Sequence, residues 1–147
     1  MPSRLSNFIV KSILTSALHP ILGERFAVIT VAGARSGRRY SMPINLIPHG
    51  DGFDVVSFRD RTWWRNLRQG AIASLHLAGR DVAVRGTVIE DAPVVVDTLA
   101  AYFRRFPAEA RYFGVRLGPE ERPLVEDVAR AAQGRVVIKL TPVSGKD

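Results

Sequence analysis

The feature that most restricts this chain is a run of short segments rich in β-branched residues, each closed by turn chemistry, ahead of any substantial interior helix. Phe26–Ala32 (FAVITVA) reads as a buried strand ending at Gly33. Tyr40–Pro48 reads as a second strand, where Pro43 is tolerable at an edge or bulge because proline brings no backbone donor. Asp51–Gly52 is a hairpin-turn signal, with Phe53–Phe58 as the returning strand. Ala71–Leu77 and Asp81–Glu90 alternate around Ala78–Gly79–Arg80 as a second hairpin, and Arg135–Leu140 (RVVIKL) reads as a last strand.

The helical signals come between and after these strands. Trp63–Arg68 is short and helical in character, with Thr62 or Asp60 available as cap. Asp91 at the N-cap and Pro93 in the first turn open a helix through about Arg105, with Val95, Leu99, Tyr102 and Phe106 as its apolar face. Phe106–Pro107 breaks it. A short helix over Ala108–Phe113 follows, and Pro123–Ala132 reads as helical with Leu124, Val128 and Ala131 inward.

About six strands joined mostly by tight turns predict a mainly β (α+β) fold, a small barrel with helical cover. A parallel βαβαβ sheet fits poorly, because no Gly-x-Gly-x-x-Gly follows a strand. A length of 147 residues with 46% hydrophobic content suits one domain with a real core. With no repeat, low-complexity tract or long linker, residues 1–147 are expected to form that single domain, with a helical insertion at 92–132.

Met1–Ile21 sets Arg4 and Lys11 among Leu5, Phe8, Ile9, Ile13, Leu14 and Leu18. No apolar run approaches the roughly 20 residues that cross a bilayer. A helix over 3–19, ended near His19–Pro20 and packed on the domain, is expected; the sharper reading is an interfacial helix in peripheral contact with a membrane. A cytoplasmic location fits the absence of cysteine, which also excludes a disulfide framework, a thiolate nucleophile and cysteine metal sites. His19, His49 and His76 lack metal-ligand spacing, so no metal site is expected.

The charge of +7, from 21 Lys+Arg against 14 Asp+Glu, favours anionic partners. The arginines are spread along the chain and no nucleic-acid reading motif is present, so nucleic acid is not the expected partner. The densest polar segment is Gly33-Ala34-Arg35-Ser36-Gly37-Arg38-Arg39, in which glycines let backbone N–H groups converge and arginine can hold phosphate bidentately. It is not a P-loop, because the Gly-Lys-Ser/Thr ending is missing, and alone it reads as a solvated basic turn. Trp63 and Trp64 are adjacent on a short helix and cannot share a face; one packs inward while the other is free to line a cleft. No catalytic nucleophile or dyad emerges.

Together these two segments carry more. The order G-x-R-S-G-x-x-x-x-x-P, a hairpin, then W-x-x-N-L before another strand resembles the deazaflavin-dependent nitroreductase family of split β-barrel proteins, over roughly Phe26 to Leu140. The resemblance implies a split β-barrel of the flavin-reductase/FMN-binding kind and an oxidoreductase. Reduced deazaflavin coenzyme F420 would be the hydride donor, with FMN as the alternative cofactor, and a quinone-like or nitroaromatic small molecule the acceptor. It further implies that Arg35, Ser36, Gly37 and Arg38 hold the cofactor's phosphate and acidic tail. Pro43 and Asn45 would lie beside the cofactor, Ser57 near its ring system, and Trp63 and Asn66 would complete the grip. Tyr102, Tyr112 and Phe113 would face the acceptor. A homodimer is a family-level expectation.

Overall fold

The computed structural model describes residues 26–143; the expected helix at 3–19 lies outside them. The described residues fall into two compact units. Residues 26–56, 62–88 and 138–143 form the first, and Ser57–Arg61 with Ile89–Val137 form the second.

The first unit is built on a seven-stranded sheet, one strand more than expected. Its strands are β1 (Phe26–Ala32), β2 (Arg39–Asn45), β3 (Ile47–His49), β4 (Gly52–Phe58), β5 (Ile72–Leu77), β6 (Arg80–Ile89) and β7 (Arg135–Pro142). The order is β2-β1-β5-β6-β7-β4-β3. The extra strand arises because the expected segment Tyr40–Pro48 is broken at Leu46, which is fully buried. Exposed and more buried residues alternate from Ser41 to Asn45, and the alternation then fails, since Leu46, Ile47 and Pro48 are all buried. A bend there carries the chain from one end of the strand order to the other. The two outer strands are therefore halves of one bent segment, and the sheet curls back on itself.

Register decides which side chains meet the core. Ala27, Ile29 and Val31 of β1 are buried and pair with Ile44, Met42 and Tyr40 of β2. Directly paired residues share a face of the pleat. Phe26, Val28 and Thr30 therefore share the opposite, outer face with Asn45, Pro43 and Ser41. Pro43 thus sits on a terminal strand of the order, where its missing donor is tolerable.

Two turns sharpen the sequence reading. The β3–β4 turn is Gly50–Asp51, with His49 paired to Gly52, so the reversal lies one residue earlier than Asp51–Gly52. Gly50 takes the positive φ of 60° that this two-residue turn needs. Gly52 serves packing instead, because a Cβ there would collide with the carbonyl of Leu140. Between β5 and β6, Ala78 and Gly79 both have positive φ, 52° and 75°, and Arg80 already belongs to the strand.

In the second unit, α1 (Ala92–Arg105) packs against α2 (Val125–Gln133) and the 3₁₀ turn Pro107–Phe113. Asp91 stands at the N-cap as expected, although its side chain makes no capping bond. Val95, Leu99, Tyr102 and Phe103 are the buried face of α1. Phe103 replaces the expected Phe106, because Phe106 is the C-cap and leaves helical geometry at φ −129°.

On the inward face of α2, beside Val128 and Ala131, lies a carboxylate: Asp127 is 1% exposed. Its Oδ2 accepts from the backbone N and Nε of Arg116 at 2.9 and 2.8 Å, and its Oδ1 from Nη2 of Arg116 and of Arg130 at 3.1 and 2.8 Å. The Arg116 side chain, then its backbone amide, hold this carboxyl well below the usual carboxylate range; burial pushes the other way and Arg130 adds to the lowering.

Candidate functional site

The site begins with a loop that spends most of its own donors. Gly33 N donates to Arg38 O at 2.7 Å, Gly37 N to Gly33 O at 2.9 Å, and Arg38 N to Ser36 Oγ at 3.1 Å. Gly37 takes φ 73°, which glycine adopts without strain. A Cβ on Gly33 would stand 3.0 Å from Ser36 Oγ and 3.1 Å from the Tyr40 ring, so the loop closes tightly over its first residue.

The remaining amide near the loop's start ties it to the second motif. Ala34 N donates to Asn66 Oδ1 at 3.0 Å, and Asn66 Nδ2 donates to Trp63 O at 3.2 Å. Asn66 therefore staples the Gly33–Arg38 loop to the 3₁₀ turn Trp63–Leu67. That turn packs beside β1 and is anchored by Trp64 and Leu67, each 1% exposed. Burying two such side chains is worth about 1.5–3 kcal/mol each. Leu67 presses on the backbone of β6: a Cβ on Gly86 would meet its Cδ1 at 2.9 Å. Trp64 goes inward and Trp63 is left half-buried, the division that adjacent positions on a short helix require.

Between loop and turn lies a cleft of about 720 Å³, within the size range of small-molecule sites. Gly33–Ser36 form one wall, Tyr40 and Met42 of β2 the floor, and Thr62, Trp63, Arg65, Asn66 and Arg68 the other wall. The guanidinium groups of Arg65 and Arg68 lie 5.5 and 5.1 Å from the Trp64 ring, so that buried indole backs them both. Among the described residues no carboxylate pairs with Arg35 or Arg65. With the amides of Gly33, Ala34, Gly37 and Arg38 already bonded, anion capture falls to guanidinium groups, the amides of Arg35 and Ser36, and the Ser36 hydroxyl. Such donors suit a phosphate or carboxylate.

Of the residues expected from sequence, Arg35, Ser36, Trp63 and Asn66 are brought together at this cleft. Gly37 and Arg38 belong to the same loop without lining it. Pro43 and Asn45 project from the face of β2 opposite to Tyr40 and Met42. Ser57 belongs to the second unit, is 9% exposed, and donates to Phe58 O at 3.3 Å. Tyr102 is buried in that unit: its hydroxyl donates to Glu109 Oε1 at 2.9 Å and its ring packs on Phe103, Phe106 and Phe113. Tyr112 is 66% exposed, and the Arg135 guanidinium lies 5.0 Å from the Phe113 ring.

Sequence reasoning missed Tyr40, Met42, Thr62, Arg65 and Arg68 as cleft residues. Period-two alternation with Ile44 could have aimed Tyr40 and Met42, and the i, i+3 spacing of Arg65 and Arg68 could have paired them on one side of the turn. Among the described residues no group of three or more His, Asp and Glu could hold a metal. Nor is any described helix long and apolar enough to cross a membrane.

The curled antiparallel sheet with its helices makes this a mainly β, split β-barrel fold. Solved structures share it, among them the following three. One is the heme storage protein HutZ of Vibrio cholerae, with TM-score 0.55 and 15% identity over 87% of this chain and 92% of that one. Another is a Listeria innocua protein provisionally named a pyridoxamine 5′-phosphate oxidase, with TM-score 0.54 and 11% identity over 92% of each chain. The third is described as a domain-swapped dimer, with TM-score 0.53 and 12% identity over 93% and 94% of the two chains. At such identities the likeness is one of fold. No family model matches the sequence, and no curated protein matches it.

Proposed function

We propose that this protein is an oxidoreductase that holds a flavin-type cofactor, the reduced deazaflavin coenzyme F420, by its phosphate-bearing tail in the Gly33–Trp63 cleft. The observation that carries the reading is the stapled cleft itself, with Arg35 and Arg65 facing no carboxylate partner among the described residues. Its donors fit an anionic tail: guanidinium groups from two segments and a serine hydroxyl. A solved neighbour carrying an oxidase name supports the broader class.

A bound reduced deazaflavin would supply hydride from its ring. The chain's own task is then to bind, to orient and to exclude water, which explains why no catalytic nucleophile is needed. Arg35, Ser36 and Arg65 would take the tail's negative charge, with Arg38 outside the lining of the cleft, Gly37 shaping the loop and Asn66 fixing it against Trp63. Pro43, Asn45 and Ser57 lie outside the lining of this cleft and take no part in holding the tail. Tyr112, Phe113 and the Tyr102 that packs on Phe113 would bound a quinone-like or nitroaromatic acceptor.

Titration with the deazaflavin, followed by its fluorescence, tests this: saturable binding is expected, and none below about 100 μM overturns it. Arg35→Ala should weaken binding and leave thermal stability native. The same donors suit the phosphate of FMN; protein purified yellow, releasing flavin on denaturation, would favour that cofactor.

We also propose that a second copy of the chain covers the outer face of β1, β2 and β5. There Phe26, Val28 and Ile72 are 62, 39 and 44% exposed beside Pro43. The neighbour described as a domain-swapped dimer supports the reading. Light scattering should find dimers for the parent chain and monomers for Val28→Lys; a dimer unaffected by that change removes this face from the interface.

A further inference from the structure

The second unit contains a groove of about 840 Å³ that the cofactor reading does not use. It lies between Pro107, Ala108 and Arg111 of the 3₁₀ turn and Val115, Arg116 and Leu117 of the stretch that follows. Gly114, in the left-handed conformation at φ 71°, ends the turn and reverses the chain, with Val115 N bonded back to Ala110 O at 3.0 Å. The two segments therefore face one another as fixed walls.

The groove's chemistry is two-sided. Its walls are largely apolar, and Leu117 remains 38% exposed there, although a leucine gains by leaving water. Two guanidinium groups join this apolar lining. Arg116 is oriented by its bonds to buried Asp127, yet its side chain is 70% exposed, so an ordered cation reaches solvent. Arg111 donates from Nη2 to the Tyr112 hydroxyl at 2.9 Å with its guanidinium 4.9 Å from that ring. No carboxylate among the described residues pairs with Arg111. Holding both arginines before any ligand arrives removes part of the ordering cost of binding.

We propose that this groove is a binding site for a small aryl carboxylate. The rigid ring system would lie on Pro107, Val115 and Leu117, and the carboxylate would meet Arg111 and Arg116. Arg116 would offer Nη1, since its Nε and Nη2 are bonded to Asp127, and Arg111 the nitrogens not given to Tyr112; a rigid apolar body loses little freedom on docking. The site rests on residues of the second unit alone and stands independently of what the Gly33–Trp63 cleft holds.

Calorimetry with 2-naphthoate and its neutral isostere 2-naphthamide tests the proposal. One-to-one binding of the naphthoate is expected, about tenfold tighter than the amide, the difference one charge-assisted arginine contact makes. Ala108→Trp, which fills the groove, should abolish that binding with thermal unfolding unchanged, and Arg111→Gln should weaken it several-fold. Arg35→Ala should leave it unaltered. Equal binding of acid and amide overturns the proposal, as does naphthoate binding that survives Ala108→Trp or disappears in Arg35→Ala. No detectable naphthoate binding overturns it as well.

Discussion

The arginines around Trp64 and those around Asp127 are set in opposite surroundings. Arg65 and Arg68 rest on a buried indole with no carboxylate paired to Arg65, whereas Arg116 and Arg130 converge on a carboxylate with no side-chain exposure. A charge that is fully buried must be paired and hydrogen-bonded, so Asp127 needs the second set in place. The first set is backed by packing, and Arg65 in it faces no carboxylate among the described residues. The same side chain is therefore tied to a buried acid in one unit and stacked beside a buried indole in the other.

Removing the acid should separate the two sets most sharply. Asp127→Ala leaves Arg116 and Arg130 without their acceptor and is expected to lower the melting temperature more than any cleft substitution; an unchanged melting temperature would mean the cluster does not hold the unit together. Next comes Gly86→Val, which drives a side chain into Leu67 and should cost about 1–3 kcal/mol by overpacking. Because Leu67 seats the turn bearing Trp63 and Asn66, this variant should also bind the deazaflavin more weakly, readable in paired denaturation and titration curves. Asn66→Ala removes the staple and should cost about 1 kcal/mol in urea unfolding, again with weaker binding. Smallest in stability is Arg65→Gln, expected within about 0.5 kcal/mol of the parent by urea unfolding while cofactor affinity falls. A comparable loss of stability from Arg65→Gln and Asp127→Ala would abolish the distinction.

Acid sharpens the contrast further, since two buried carboxylates titrate in opposite senses. Asp127 is held low, so its contribution is present above the unfolded value of about 3.9 and lost as pH falls through its folded value. Asp54 is pushed up by burial, against the opposing pull of His49, 3.0 Å away, and Lys139. Its contribution is present below that unfolded value and fades as pH rises through the folded one. Stability followed from pH 7 towards about 3 should therefore fall more steeply in Asp54→Asn than in the parent and less steeply in Asp127→Asn.

The strands were readable because β-branched runs and turn residues act locally. FAVITVA and RVVIKL appear as β1 and the start of β7, and Ala78–Gly79 turns where Gly79, without a Cβ, admits positive φ. The break at Leu46 was not readable: Tyr40–Pro48 has no internal turn signal, and the bend comes from closing a sheet whose other members are far away in sequence. Asp127 escaped for a similar reason. An acidic residue early in a helix reads as an ordinary surface charge, and only Arg116, eleven positions away, shows otherwise. At the cleft, the joint pattern located Arg35, Ser36, Trp63 and Asn66. Asn66's bond to Ala34, which makes one motif depend on the other, is a contact across 32 positions that spacing alone cannot show.

The strand order also bears on how the chain is made. β7 begins at Arg135, last of the described strands, yet it lies between β6 and β4 inside the sheet. On the ribosome every other strand emerges before it, so the nascent sheet waits with a gap where β7 belongs. During that interval β6 and β4 each present an unsatisfied backbone edge, the kind on which neighbouring chains can add. Completion of the sheet therefore comes late, once β7 has been made.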